Sequence, residues 1–494
     1  MRAPTLPGTL VSRGVCGSVL LLLAGLVLNE LPPSPVRFLV APLQWLGTNA
    51  PGRFLALVVT LIGVALLTHA WVSLVRTPAE GSADERVRHV RAVTMRWMAP
   101  LLIAPPLFSH DGWSYMAQGA VAASGRDPYT ISPGEMPELL TSMVDPIWRY
   151  TPTPYGPIPI IWGALTREVF GDPTLLLLLQ RVPALIGLGL TAWAVPRLAR
   201  HLGIDPARAT ALAIASPFVL VHAVGGLHND ALVMGLVAAA LVFAAERRWV
   251  LGVVLVGLAA AVKFTAVVAV VPVVLVSLPG AVRAPGRFLR LAAGGLIAAA
   301  TVAASGIPYG LGLGWVKVLS VPGVVVTPAS APTAVGVVLE WLLAQTGSGL
   351  EMYAVPVVRS LGMALAVALV IVLALTRPTG DLTSGLATCI GVFAAVVLLA
   401  PVVQSWYALA VVPAAALLLL ERRRTRRALF LGAALAFLAP LDSEMAGGSL
   451  LAAGLVVLGQ WLEPVQLLGM ALVVLASVLV LGVGARRPRP DLPA

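Results

Sequence analysis

The residues able to do chemistry fall in a few short clusters. Ser109-His110-Asp111-Gly112-Trp113-Ser114-Tyr115 sets a carboxylate directly after an apolar run, a costly place for a charge that serves no purpose. A carboxylate there can take the proton of a hydroxyl as a general base. It can equally cap the amphipathic stretch from Trp113 to Ala123. Gly125-Arg126-Asp127-Pro128-Tyr129 and Trp148-Arg149-Tyr150-Thr151-Pro152-Thr153-Pro154-Tyr155 place aromatic rings beside guanidinium groups. That pairing suits stacking on sugars and forked contacts to phosphate, and also an aromatic belt stiffened by proline at a bilayer surface. Leu227-His228-Asn229-Asp230 packs three polar side chains between apolar runs. They can bind a sugar, a phosphate through the imidazole, or a divalent cation through His228 and Asp230; Asn229 or Asp230 can also simply cap the helix that follows. Lys263 interrupts another apolar run, where an ammonium either meets an anion or snorkels to the headgroups. Gln404-Ser405-Trp406-Tyr407 opens a further run, as an aromatic-belt anchor does. The sequence has no Walker loop, HExxH or GxSxG motif, so nucleotide hydrolysis and those hydrolase classes lack support. A divalent cation is the one cofactor the clusters leave open.

The elements that hold these clusters are membrane helices. Of the 494 residues, 59% are hydrophobic and 11% charged, against about a quarter charged in soluble domains. Apolar runs fall at 14–31, 53–76, 93–109, 173–196, 207–223, 229–246, 249–262, 264–281, 288–305, 353–376, 384–401, 404–421, 427–441, 448–462 and 465–485. With roughly 20 residues needed per crossing, the chain reads as one all-α polytopic membrane domain over 1–494 with about 13 to 15 helices. Lys plus Arg is 33 and Asp plus Glu is 22, a net charge of +11, which here reports topology rather than a nucleic-acid partner. With the N-terminus inside, most cationic residues, including the Arg422 to Arg427 cluster, fall on the inner side. The clusters above then lie outside. Fifteen crossings would put Arg486, Arg487 and Arg489 outside as well, so one of the last three runs is expected not to cross. Two outer segments, 110–172 and 306–352, are too long to be plain connections and read as long ordered loops that line the site. Within the first, Gly156 to Phe170 reads as an interfacial or re-entrant helix. Cys16 and Cys389 sit in apolar runs and form no ligand spacing.

In order along the chain, Asp111-Gly-Trp-Ser-Tyr-Met-Ala-Gln-Gly119, Gly125-Arg-Asp-Pro-Tyr129, Thr153-Pro-Tyr-Gly-Pro157, Leu227-His-Asn-Asp230, Lys263 and Val403-Gln-Ser-Trp-Tyr407 resemble a known family. It is the polyprenol-phosphate-mannose-dependent α-1,6-mannosyltransferases that extend the mannan backbone of actinobacterial lipomannan and lipoarabinomannan. The resemblance covers roughly residues 100 to 420. The chain departs from the family at Gly112 and Trp113, where an aliphatic residue and a tyrosine are usual. The resemblance implies a GT-C glycosyltransferase architecture with the active site on the outer face of the plasma membrane. It further implies an inverting transfer of mannose from polyprenyl phosphomannose to the 6-hydroxyl of a lipid-linked mannan, with Asp111 as general base. Lys263 and Arg149 are then the cations expected to neutralise the leaving phosphate. His110, Tyr115, Gln118, Asp127, Tyr129, Tyr155, His228, Asn229, Asp230, Gln404, Trp406 and Tyr407 are the substrate-site residues it implies. A GT-C transferase for another polyprenyl phosphosugar or acceptor, and a transporter of a polyprenyl-linked sugar, are the alternatives. A transporter is expected to place polar groups near the bilayer midplane rather than crowd them on one face.

Overall fold

The structure, a computed structural model, describes residues 8–442 except 30, 33, 34, 78, 281, 320, 322–329 and 421. Among these every regular element is helical, as an apolar solvent requires of a chain that must satisfy its own backbone groups. Among the described residues six helices are long and apolar enough to cross a membrane: Thr9–Leu28, Ala50–Arg76, Pro173–His201, Ala284–Tyr309, Glu351–Thr376 and Leu382–Leu399. A seventh candidate is the pair Pro206–Ile214 and Pro217–Gly225, bent by 41°. Pro217 lacks the N–H that would continue the ladder, and Ser216 caps the second half by accepting from Val219 N at 3.3 Å. Shorter apolar helices follow at Asp230–Ala245, Trp249–Val262, Phe264–Ser277, Ala331–Ala344 and Ser405–Leu418. The chain is therefore an all-α, multi-pass membrane protein.

Two expectations need correction. The run at 93–109 is not one apolar helix. Its first part belongs to the charged helix Ala83–Met98, started by a Ser82–Glu85 capping box, and its second part is the short 3-10 helix Ala99–Ile103. Pro100, Pro105 and Pro106 withhold the amide hydrogens an α-helix would need. The segment 306–352 is likewise not loop throughout, since Ser330 caps the apolar helix Ala331–Ala344 through Thr333 N at 3.2 Å. The segment read as an interfacial or re-entrant helix is the helix Pro157–Val169. The runs at 448–462 and 465–485 lie outside the described residues.

The helices cross closely where both lack side chains. A Cβ on Gly119 would strike the backbone of Gly163, and one on Gly163 would come within 2.8 Å of Tyr115 O. The helix bearing Asp111 is thereby seated on Pro157–Val169. A Cβ on Gly187 would strike Ala231 O and one on Gly235 would strike Gly187 O, the small-residue interface by which apolar helices associate without a hydrophobic drive between them. The largest apolar core draws residues from Leu10 to Ala436, so helices late in the chain pack on the same core as early ones.

Gly187 and Gly189 lie two residues apart on one helix, and a Cβ on Gly189 would meet open space. Gly187→Ala is expected to lower the thermal midpoint of the detergent-solubilised protein, by overpacking of about 1–3 kcal/mol. Gly189→Ala is expected to hold or raise it, by up to about 1 kcal/mol of helix propensity. Equal midpoints for the two variants would show that the crossing is looser than described.

Candidate active site

Asp111 is the first residue of the helix Asp111–Ala123, where a negative charge meets the helix dipole favourably. Its side chain caps nothing. Oδ2 instead accepts from the Tyr115 hydroxyl at 3.2 Å and the Tyr155 hydroxyl at 3.2 Å, and faces His228 Nδ1 at 3.3 Å. Tyr115 reaches it because residues four apart share a helix face. Tyr155 reaches it from a turn held by Gln118, whose Oε1 accepts from Thr153 Oγ1 at 2.9 Å while Thr153 Oγ1 accepts from Tyr155 N at 3.2 Å. The two phenol rings meet edge to face at 5.0 Å. Among the described residues no side chain is hydrogen-bonded to Oδ1. One oxygen of the carboxylate is thus fixed from three sides and the other is free to act.

Burial alone would raise the Asp111 carboxyl, but the His228 imidazole, the Lys263 ammonium and the Tyr115 hydroxyl more than offset it and hold it below its ordinary value. Burial, and after it the Asp111 charge, pushes the Tyr115 and Tyr155 hydroxyls well above theirs. The carboxylate stays ionised and both phenols stay protonated donors.

His228, Asn229 and Asp230 are all buried and play different parts. The His228 ring stacks on Trp406 at 4.0 Å and 15°. Asn229 N donates to the Tyr115 hydroxyl oxygen at 3.5 Å. Asp230 opens the helix Asp230–Ala245 and takes Lys263 Nζ on both oxygens, at 2.8 and 3.0 Å. Lys263 stands in extended backbone between Trp249–Val262 and the 3-10 helix Phe264–Ala269, its Nζ 3.6 Å from the centre of the Tyr407 ring. The Thr153 to Gly156 turn is tied to the same break, Gly156 N donating to Val262 O at 3.1 Å.

Backbone strain borders the site. Phe108 and Leu227 hold left-handed φ of 61° and 57° just before Asp111 and His228, at about 1–2 kcal/mol for a residue with a side chain. Such strain collects at functional sites. Leu107 N donating to Gly225 O at 2.9 Å, and the buried Arg181 guanidinium donating to Ala104 O and Val224 O, join the two strained segments.

Other expected site residues lie elsewhere. Arg149 donates to Thr141 Oγ1 at 3.3 Å rather than standing with Lys263. His110 Nδ1 meets Met143 O at 2.8 Å, and Asp127 accepts from Tyr129 N within its own turn at 2.9 Å. Tyr129 packs with Ile160 and Leu311 in a separate apolar cluster. Gln404 precedes the 3-10 helix Ser405–Val411, which delivers Trp406 and Tyr407, and accepts from Tyr407 N through its backbone. Sequence reasoning missed His222, fully buried, 3.5 Å from Ser405 Oγ and tilted against the His228 and Trp406 rings. A histidine inside an apolar run was its only signal. Among the described residues no group of three or more His, Cys, Asp or Glu converges. His228 and Asp230 face different partners, so the donor set does not fit a cation shared between them.

Residues 11–279 match the family described as alpha-(1->6)-mannopyranosyltransferase, N-terminal domain. The chain is similar to alpha-(1->6)-mannopyranosyltransferase A of Mycobacterium tuberculosis, 34% identical over 336 residues, which are 67% of this chain and 64% of that one. It is 31% identical to alpha-(1->6)-mannopyranosyltransferase A of Corynebacterium glutamicum over 341 residues, 64% of this chain and 70% of the relative. A probable alpha-(1->6)-mannopyranosyltransferase of Mycolicibacterium smegmatis is 32% identical over 410 residues, 74% and 72% of the two chains. The first of these alignments spans just under two thirds of the relative's length. No solved structure matches the chain.

The Asp230–Lys263 pair, with Asp230 buried and Lys263 partly so, makes its own prediction. Removing one partner strands the other's charge, at about 3–5 kcal/mol, whereas removing both strands nothing. Asp230→Asn and Lys263→Met are each expected to lower the thermal midpoint more than the double variant does. Additive losses would mean that the two charges are not coupled.

Proposed function

This chain belongs to the alpha-(1->6)-mannopyranosyltransferase family, and from that premise we propose that it transfers mannose from polyprenyl phosphomannose to the 6-hydroxyl of a lipid-linked mannan on the outer face of the plasma membrane. The observation that carries the reading is the Asp111 carboxylate, with Oδ2 held by Tyr115 and Tyr155 and Oδ1 open. In the proposed step the acceptor O–H bond breaks and its proton goes to Asp111 Oδ1. The acceptor oxygen forms a bond to the anomeric carbon, and the bond from that carbon to the phosphate oxygen breaks, its electron pair leaving on phosphate. One such displacement inverts the anomeric centre. Lys263, close enough to help keep Asp111 ionised, supplies most of the positive charge toward the leaving phosphate, with Asp230 fixing its ammonium. Arg149 is the second cation of this reading and must leave Thr141 to take part. The Trp406 ring is stacked on His228 and the Tyr407 ring carries the Lys263 ammonium, and in this reading a sugar stacks on the ring faces that those two groups leave uncovered.

The test incubates purified full-length protein with radiolabelled polyprenyl phosphomannose and a short α-1,6-mannoside acceptor. Asp111→Asn, which keeps the size of the side chain, is expected to lose transfer by about 10²–10⁴-fold, the worth of a general base. Near-normal transfer by that variant would remove Asp111 from the mechanism. Parallel reactions with EDTA decide whether a divalent cation takes part, and other polyprenyl phosphosugars test the choice of donor.

A further inference from the structure

We propose that Arg181 is a positioning residue of the active site: its buried guanidinium spans the segment that leads to Asp111 and the turn that leads to His228, and holds the two in the register in which carboxylate and imidazole meet. This rests on the reading of Asp111 as general base and adds to it the part of the fold that keeps the base in place.

Arg181 is among the largest wholly buried side chains of the described residues. No carboxylate meets it among those residues, and its Nη1 has no hydrogen-bond partner. An unpaired cation in an apolar core is costly. A methionine would fill the space without that cost, so packing alone does not account for an arginine here. What the guanidinium has and no apolar side chain offers is a planar fork of donors. Nε donates to Val224 O at 3.0 Å and Nη2 donates to Ala104 O.

Both carbonyls belong to backbone that is leaving a helix. Ala104 follows the 3-10 helix Ala99–Ile103, shortly before the left-handed Phe108. Val224 lies in the π-helical turn Leu220–Gly225, shortly before the left-handed Leu227. An α-helix continued past Gly225 would give Val224 O the amide of His228, and a π-helix that of Asn229. Instead His228 N donates to His222 O at 3.3 Å and Asn229 N to the Tyr115 hydroxyl oxygen at 3.5 Å, so Arg181 takes the carbonyl they leave. The Tyr115 hydroxyl in turn donates to Asp111 Oδ2. Without the guanidinium, Val224 O is a buried acceptor that competes for those two amides. Capture of either draws Leu227 out of its left-handed conformation, and with it His228 off Asp111 or Asn229 N off Tyr115. A Cβ on Gly225 would come within 2.7 Å of the Leu107 side chain, so a shift of the turn also reaches the segment before Asp111.

The test compares full-length wild type, Arg181→Met and Arg181→Lys in the transfer assay, well below each thermal midpoint and as a function of pH. Arg181→Met keeps a long unbranched side chain and loses the donors. It is expected to lower kcat at least about tenfold with KM unchanged, since it disturbs the base and not the binding of substrate. Arg181→Lys keeps the charge but not the fork and is expected to lose at least about threefold. Asp111 is faced by Tyr115 on its own helix, Tyr155 from its turn, His228, Lys263 with Asp230 bound to it, and Tyr407. Burial raises the Asp111 carboxyl, and His228, Lys263 and Tyr115 together bring it below its ordinary value. Loosening His228 or Tyr115 leaves burial less opposed, so the acid limb of kcat, where the base becomes protonated, is expected to move up in pH in both variants. A residue that only supported the fold would lower the midpoint and leave kcat and the acid limb of the folded enzyme where they are. Wild-type kcat in folded Arg181→Met, or a lowered kcat with an unmoved acid limb, would overturn the proposal. Should Arg181→Met not fold, wild-type kcat in Arg181→Lys would overturn it equally. A folded Arg181→Met with wild-type kcat beside a dead Asp111→Asn removes this inference alone, whereas an active Asp111→Asn removes the reading beneath it.

Discussion

A carboxylate buried in an apolar core stays charged only where the protein replaces the water it has lost. In this chain the replacement takes two phenol hydroxyls, an imidazole and an ammonium around Asp111. Each comes from a different part of the sequence, or from another turn of the same helix, and each must be held in turn. The close helix crossing at Gly119 and Gly163, the Gln118–Thr153–Tyr155 chain and the Gly156–Val262 tie all follow from this requirement. The Asp230–Lys263 pair follows from it too, since an ammonium needed near one carboxylate is kept in place by a second.

What could be read from the sequence was what periodicity and hydropathy encode. The all-helical membrane class follows from apolar runs, and a helix after Asp111 follows from the amphipathic stretch that begins at Trp113. The division of labour within His228-Asn229-Asp230 did not follow. Three adjacent polar residues suit a cap, a cation or a sugar equally well until the chain folds, and only then does His228 turn to Asp111 and Asp230 to Lys263. Arg149 shows how a neighbour can engage a cation. Its neighbours suited phosphate, yet the fold engages it with Thr141. The run at 93–109 was misread because hydropathy counts Pro100, Pro105 and Pro106 as tolerable residues, while a helix cannot use them.

The site is assembled from both halves of the chain. The family match ends at residue 279, whereas Trp406 and Tyr407, which cover His228 and Lys263, come from beyond it. The late helices also share the apolar core of the early ones. The carboxylate and its hydroxyl donors therefore belong to the matched region, and the ring faces that finish the site do not.

The turn Leu220–Gly225 is π-helical, so it holds more residues than the 3.6 of an α-helical turn. Deleting any one of those residues would let the segment relax into an ordinary α-helix. Deleting Ala223, Val224 or Gly225 would bring His222 one residue nearer His228, a helical step of roughly 100°. No single side chain in the turn encodes this offset. The chain stores that part of its active-site geometry as a count of residues, open to loss by a three-nucleotide deletion that leaves every site residue unchanged.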